Sequence, residues 1–404
     1  MRKKVCMFVW NFFDADARVM RECTALTEAG YDVRLIALYN PDDPECRREE
    51  DKNGFHVTRV TSRRKTKRDN KKKRDEVPNA SGRFRKLFSE IWGIINMIRA
   101  ARRETYDVFH ANDLNTLPQA YVCARLYWRK SRRRPIVYDS HEVQTSRMGY
   151  SGRLAYRIER FFVKRVHAVI HTNDTRADHM AGLYSIKKPF VLHNYPAYIP
   201  YEEIAARRAD LHKMLDIPHD TPILLYQGGI QEGRGLDKLL MAVKDFTDGV
   251  VLLVGDGKLK PQLERYVKEE GLGSRVRFMD KVPYEKLFGI TVNAYLGFQV
   301  LNNTCFNHYS ADSNKLFEYM MCSIPVIACR MPEIERIVCR EQCGLVVDEE
   351  DPKAIAEAVN KLLVDRELRE RLSKNALHGI GKTIWENEKN MFVDIYNGML
   401  LKEV

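Results

Sequence analysis

Apolar residues in this chain come in short, nearly unbroken runs that end in polar residues, and most runs are followed by a stretch of helical period. KKVCMFVW reads as a buried strand; ARVMRECTALTEAGYDVRLIAL then gives a helix, a stop at Gly30 and a second strand. YDVFHAND, RRPIVYDSHE, HAVIHTND and KPFVLHNYP repeat the pattern of a β-branched run closing on polar groups. Runs apolar on both faces with helices between them predict a parallel sheet with active groups at the strand C-termini.

Past Asn194-Tyr195-Pro196 the pattern breaks. A charged helix, YEEIAARRADLHKML, leads to a turn near Pro218, and a second alternation begins: ILLYQGG, VVLLVGDGK, VRFMDKV, AYLGFQV, IPVIAC and CGLVVDE. With 404 residues the chain exceeds one ordinary core, so two α/β domains are expected, over 1–196 and 200–382. The segment 384–404 reads as an amphipathic helix with Trp385, Met391, Phe392, Ile395, Tyr396 and Met399 on one stripe, expected to pack back on the first domain.

Charge and cysteine content narrow the class. The apolar run at the N-terminus stops at Asn11, and no stretch reaches the roughly 18 apolar residues of a spanning helix, so a soluble or peripheral protein is expected. Nine scattered cysteines without paired spacing fit a reducing cytoplasm. The net charge of +12 is concentrated in RRKTKRDNKKKR (63–74) and RKSRRR (129–134), blocks that attract phosphates or stay solvated. These runs lack interleaved aromatics and any nucleic-acid-binding pattern, so nucleic acid is not expected as a partner.

Two segments carry the chemistry. TPILLYQGGIQEGRGLDKLL and ADSNKLFEYMMCSIPVIA each run from a strand or turn into a helix start, where unpaired N–H groups and the helix dipole favour an anion. Gly255-Asp256-Gly257 follows the apolar strand VVLLV as a further turn. Asp139-Ser140-His141-Glu142 and His110-Ala111-Asn112-Asp113 end two strands of the first alternation.

With these motifs the chain resembles, over nearly its whole length, the retaining glycosyltransferases of the GT-B fold, family 4, also called group 1. The resemblance implies two Rossmann-like α/β domains facing each other across a cleft and transfer from a nucleoside diphosphate sugar, UDP by default. It assigns the donor diphosphate to Gly228, Gly229 and Arg234, the nucleotide cleft to Gly255 and Gly257, and the base to the backbone near Val282. Ser313 and Asn314 would present amides to the phosphates, Lys238 or Lys315 a second cation, and Glu318 a carboxylate to the ribose hydroxyls.

The chain departs from the family pattern at two places. Gly229 stands where an Arg is common, and Ser310 where the first acid of an E-x7-E pair stands, with Asp312 the nearby substitute. On the acceptor side the resemblance points to His141 toward the transferred sugar, and to Asn11, Asp16, Arg18, His110, Asp113 and Glu142 around the acceptor. Without it, a His ending a strand is more often structural.

Asp14-Ala15-Asp16 is more simply a helix cap than a cation site, so metal independence and no cofactor are expected. A glycan or lipid-linked acceptor in cell-envelope or exopolysaccharide assembly is the implied context. GRFRKLFSEIWGIINMIRAARR, after the basic run, reads either as a core helix or as a contact with anionic membrane through residues 63–103, which would place the protein at the inner face of the cytoplasmic membrane. Competing readings are another GT-B enzyme, such as a sugar-nucleotide epimerase or a phosphorylase, and a polyanion-binding protein.

Overall fold

The structure is a computed structural model; it describes residues 2–14, 16–62, 80–125, 133–147 and 151–400, with side chains in the third stretch from residue 89. The basic run 63–74 and residues 129–132 of the second run lie outside the described residues, as do the side chains of Phe84, Leu87 and Phe88. The chain divides into two compact units, one of Met1–His193 with Glu388–Val404, the other of Asn194–Asn387.

The first unit is built on eight strands: β1 (Lys4–Phe8), β2 (Asp32–Leu38), β3 (Glu49–Lys52), β4 (Phe55–Val60), β5 (Val108–Asn112), β6 (Ile136–Ser140), β7 (Ala168–His171) and β8 (Phe190–Val191). Their order is β3-β4-β2-β1-β5-β6-β7-β8, parallel throughout except for β3 against β4. Central strands are buried on both faces, as the runs VCMF and IVYDS require. The β3–β4 hairpin is absent from the sequence reading; Asn53 and Gly54, both at positive φ, form its turn, the Asn-Gly pair that a two-residue hairpin favours.

The second unit carries β9 (Ile223–Gln227), β10 (Val250–Val254), β11 (Val276–Met279), β12 (Leu296–Gln299), β13 (Val326–Cys329) and β14 (Gly344–Val347) in the order β11-β10-β9-β12-β13-β14. Every pairing in it is parallel. In both sheets the strand order reverses beside the first strand, between β1 and β5 and between β9 and β12. At such a reversal the connections depart to opposite faces and leave a crevice at the strand C-termini.

Helix Trp385–Leu400 closes the first unit's core. Phe392 and Tyr396 are fully buried, and Tyr396 packs edge-on to Tyr31 and stacked on His110. Each such aromatic contributes about 2–3 kcal/mol through burial. From residue 89 onward, helix Ala80–Ala101 is a core helix, with Met97, Ala100 and Ala101 in the first unit's interior. All nine cysteines are free, and Cys339 is the exposed one.

In the second unit the turns after β9 and β10 touch backbone to backbone. Gly228 N–H donates to Val254 O at 2.9 Å and Ile230 N–H to Asp256 O at 3.0 Å. A Cβ on Gly257 would lie 1.9 Å from the Ile230 carbonyl oxygen, with no flexible group to yield. Gly257→Ala is therefore expected to cost about 2–4 kcal/mol in denaturant unfolding, although Ala is the smallest possible addition.

Candidate functional site

Two constellations stand at the C-terminal ends of the two sheets, one in each unit. In the second unit, the turn after β9 runs through Gly228, at φ +129°, to Gly235, which opens helix Leu236–Ala242. Asn302, beyond β12, holds this turn, accepting from Gly235 N–H at 2.6 Å and donating its own N–H to Gly233 O at 3.0 Å. Arg234 is half-buried here and makes no hydrogen bond or ion pair among the described residues.

Helix Asn314–Met321 begins at Ser313, whose side chain does not cap it. Elsewhere Asp16, Asn173, Asp351 and Asp365 cap their helices with side-chain oxygens. An uncapped start leaves N–H groups for another acceptor.

Lys315, in the first turn of that helix, is buried with its ammonium 3.9 Å from the centre of the Tyr226 ring. Burial and the repulsion of Arg234 lower its pKa to about 7. Tyr226 is fixed by its O–H to the Gly229 carbonyl at 2.9 Å. A second cation therefore stands beside Arg234, in a chain with Gly229 where the family often has Arg.

Glu318, one turn further in, is buried and accepts from Gln227 Nε2 at 2.6 Å; Gln227 Oε1 in turn accepts from Thr291 Oγ1 at 2.7 Å. Burial raises the Glu318 pKa, while Gln227 and Lys315 pull against it. The Thr291 bond fixes the Gln227 amide so that its N–H faces the carboxylate. Gln227, absent from the sequence reading, is thus the residue that orients Glu318. Its signal was a polar residue ending the otherwise apolar strand ILLYQ.

Ser310, at the position of the missing acid, is buried and donates to Phe306 O at 2.6 Å. Asp312 stands half-buried two residues on, and Asn314 is exposed with Oδ1 accepting from Asn194 at 3.1 Å. Gly255 and Gly257 form the turn already described, and Val282 is half-buried after β11 against the larger core cluster.

In the first unit the site is a buried charge network. Arg18 Nε and Nη2 donate to Oδ2 and Oδ1 of Asp139, each at 3.0 Å, and Nη1 donates to Leu192 O at 2.9 Å. Arg18 Nε also lies 3.0 Å from Glu22 Oε1, one helical turn along. Burial works against ionising Asp139, but Arg18 and His141 outweigh it and hold its pKa well below the usual range. Burial and the Asp139 charge push the Glu22 pKa well up, against the pull of Arg18.

His141 is two residues beyond Asp139 on the same face of the strand end, its Nε2 at 3.2 Å from Asp139 Oδ2. Burial opposes its charge, but Asp139 and Asp113 raise its pKa to about 9. Asp113, in the left-handed region at φ +63°, accepts from His141 N–H at 3.0 Å and Gln144 Nε2 at 3.1 Å. His141 is therefore an imidazolium at neutral pH on a braced loop.

Two acceptor-side expectations are corrected. His110 does not point out at the strand end; it is fully buried, its Nδ1 2.5 Å from the Tyr396 hydroxyl, and burial lowers its pKa to about 4. It lies two residues inside the end of a central strand, beneath the C-terminal helix. Arg18 also faces inward, because a guanidinium is needed to neutralise Asp139.

Asn11 and Asp16 act locally, Asn11 Nδ2 donating to Asp16 Oδ2 at 2.8 Å and Asp16 capping the first helix at Val19 N–H. Glu142 is half-exposed, 3.4 Å from Arg147 Nε. Glu22, Asp139 and His141 offer ligand atoms within 4.8 Å of one another, but the Arg18 guanidinium already sits on both carboxylates, so the set is suited to an ion-pair network rather than a metal.

Two α/β units with mainly parallel sheets, each with charged groups gathered at its strand ends and one with an anion-ready helix start, define the GT-B class of architecture. The description "Glycosyl transferases group 1" matches residues 207–378 and "Glycosyl transferase 4-like domain" residues 15–194. The chain belongs to the group 1 GT-B glycosyltransferases.

Among relatives, the lipopolysaccharide core biosynthesis glycosyltransferase LpsD of Rhizobium meliloti is 32% identical over 185 residues, covering 45% of this chain and 49% of LpsD. The chain spans about half the length of the curated relatives it matches. Sucrose-phosphate synthase from Thermosynechococcus elongatus superposes with a TM-score of 0.79 at 18% identity, over 99% of this chain and 100% of that one. Anabaena HepE in complex with UDP and glucose gives 0.69 at 14% identity, over 98% and 100%.

Asp139→Asn removes the carboxylate that Arg18 and His141 share and is expected to lose about 3–5 kcal/mol, whereas Glu22→Gln, at the carboxyl whose pKa the site raises, is expected to cost less. His141, raised in the folded state, adds stability that is full below its unfolded pKa of about 6.5. That share is lost as pH rises through about 9. Denaturant unfolding from pH 6 to 10 and an NMR titration of His141 check both, and a His141 pKa unchanged by Asp139→Asn would contradict the pairing.

Proposed function

We propose that this chain transfers a glycosyl group from a nucleoside diphosphate sugar, UDP-sugar first among them, to a glycan or lipid-linked acceptor, retaining the anomeric configuration and needing no metal. The observation that carries the reading is the second unit's cation pair, Arg234 and Lys315, beside the uncapped helix start at Ser313, with Glu318 one turn inside. HepE, seen with UDP and glucose, supports the choice of base. LpsD, named for lipopolysaccharide core biosynthesis, supports an envelope-polysaccharide context.

In this reading the diphosphate lies across the Gly228 turn and the Ser313 and Asn314 amides, with Arg234 and Lys315 taking up the charge that develops as the leaving group departs from an oxocarbenium-like sugar. Glu318, oriented by Gln227, accepts the ribose hydroxyls. His141 of the first unit, held as imidazolium, is a hydrogen-bond donor suited to a sugar hydroxyl. The acceptor enters on the face from which the diphosphate leaves.

A thermal-shift panel of UDP, GDP, ADP, TDP and CMP tests the assignment. UDP at a hundred times its Kd is expected to stabilise the wild type by about 2.7 kcal/mol. Arg234→Ala and Glu318→Ala are expected to lose that gain. The wild type is expected to prefer UDP over 2′-deoxy-UDP roughly tenfold, a preference that Gln227→Leu narrows. No shift with any nucleotide, alongside a shift with heparin, would turn the assignment to polyanion binding.

Diphosphate binding should also draw a proton onto Lys315, whose free pKa is about 7. Calorimetric titration of UDP at about pH 8 in buffers of different ionisation enthalpy is expected to show close to one proton taken up per site. Lys315→Arg, already charged, should remove that uptake while retaining binding; uptake unchanged in this variant would reassign the proton.

A further inference from the structure

Helix Gly152–Val163 is held on its inner side and bare on two others. Ala155, Glu159 and Val163 face the core. Glu159 accepts the hydroxyls of Tyr138 at 2.6 Å and Tyr184 at 2.7 Å, which fixes the helix about its axis. It is the one acid between residues 151 and 165, and it is buried.

On the outer side Leu154, Ile158 and Phe161, at i, i+4 and i+7, are 57%, 37% and 47% exposed. Next to this stripe run Arg153, Arg157, Arg160 and Lys164, all exposed, at i, i+4, i+7 and i+11. Arg165 lies 4.0 Å over the Phe161 ring, and Arg125 joins this edge by donating to the Arg165 carbonyl at 3.0 Å. A row of cations beside a row of exposed aliphatic and aromatic side chains, with no exposed acid on the helix, complements a surface that is both anionic and apolar beneath.

We propose that this face of helix Gly152–Val163 docks on an anionic lipid bilayer, Leu154, Ile158 and Phe161 entering the interface while Arg153, Arg157, Arg160 and Lys164 meet lipid phosphates. A nucleic acid would use the cations and leave the aliphatic stripe in water. The helix lies outside the sequence range 63–103, where the sequence alone suggested a membrane contact. It would bring the protein to lipid-linked molecules, and its test does not depend on the transferase reading.

Co-sedimentation of the full chain with vesicles of phosphatidylcholine, alone or with roughly 30 mol% phosphatidylglycerol, reads the docking directly. The wild type is expected to partition onto the anionic vesicles and not the neutral ones. Arg157→Glu with Arg160→Glu should lower partitioning at least about 20-fold, Leu154→Ser with Phe161→Ser about tenfold, and Arg157→Lys with Arg160→Lys should keep it. Thermal melts confirm folding; Arg157→Gln with Arg160→Gln and Ile158→Asn replace any pair that fails to fold.

Failure of the wild type to bind anionic vesicles overturns the proposal. So does undiminished binding by the serine pair, which would mark the face as a polyanion contact that heparin displaces. Undiminished binding by the charge-reversed pair overturns it as well.

Discussion

Asp139 is an ionised carboxylate without access to water, and such a group must be paired or it costs several kcal/mol. The first unit is arranged around meeting that demand. Arg18 is drawn inward from the first helix and takes both carboxylate oxygens. A single cation cannot serve two carboxylates equally, so the site raises the pKa of Glu22 and, through Asp139, that of His141. The outer end of this network, His141, stands braced at the strand terminus.

The second unit solves the opposite problem. Lys315 is a buried cation that makes no ion pair within 4 Å among the described residues; a ring face and partial loss of its proton make it tolerable. The turns after β9 and β10 approach so closely that only glycine fits between them, which fixes the floor under this cation. One unit stores its charge as internal pairs, while the other leaves a deficit of negative charge that a ligand can fill.

Much of this was legible in the residue order. Strands apolar on both faces, glycine turns after them and helices between led to two parallel sheets, and the segment ADSNKLFEYMM stood out by its helix start. The β3–β4 strands went unread because GluGluAspLys carries no apolar period and only Asn53-Gly54 marks the turn. His110 was misplaced because strand pattern alone does not say which helix will cover a strand end. Arg18 was expected at the acceptor and turns inward instead; it shares a buried helical stripe with Val19, Glu22, Cys23 and Leu26, and an opposite-charge pair at that phase is the mark of an inward ion pair. Gln227 was missed since its role exists only through Thr291 and Glu318, both far away in sequence.

The closing helix has a further consequence, for the order in which the protein can be made. The second unit ends at Asn387, but the first needs residues from Glu388 onward, with Phe392 and Tyr396 filling its interior beside His110. On a ribosome the domain that emerges first ordinarily folds first. Here the leading unit leaves the ribosome with a gap in its core, and the unit inserted after it is complete sooner. For the time needed to synthesise the last helix, the nascent chain carries a finished second unit and an unfinished first one whose exposed core is open to chaperones.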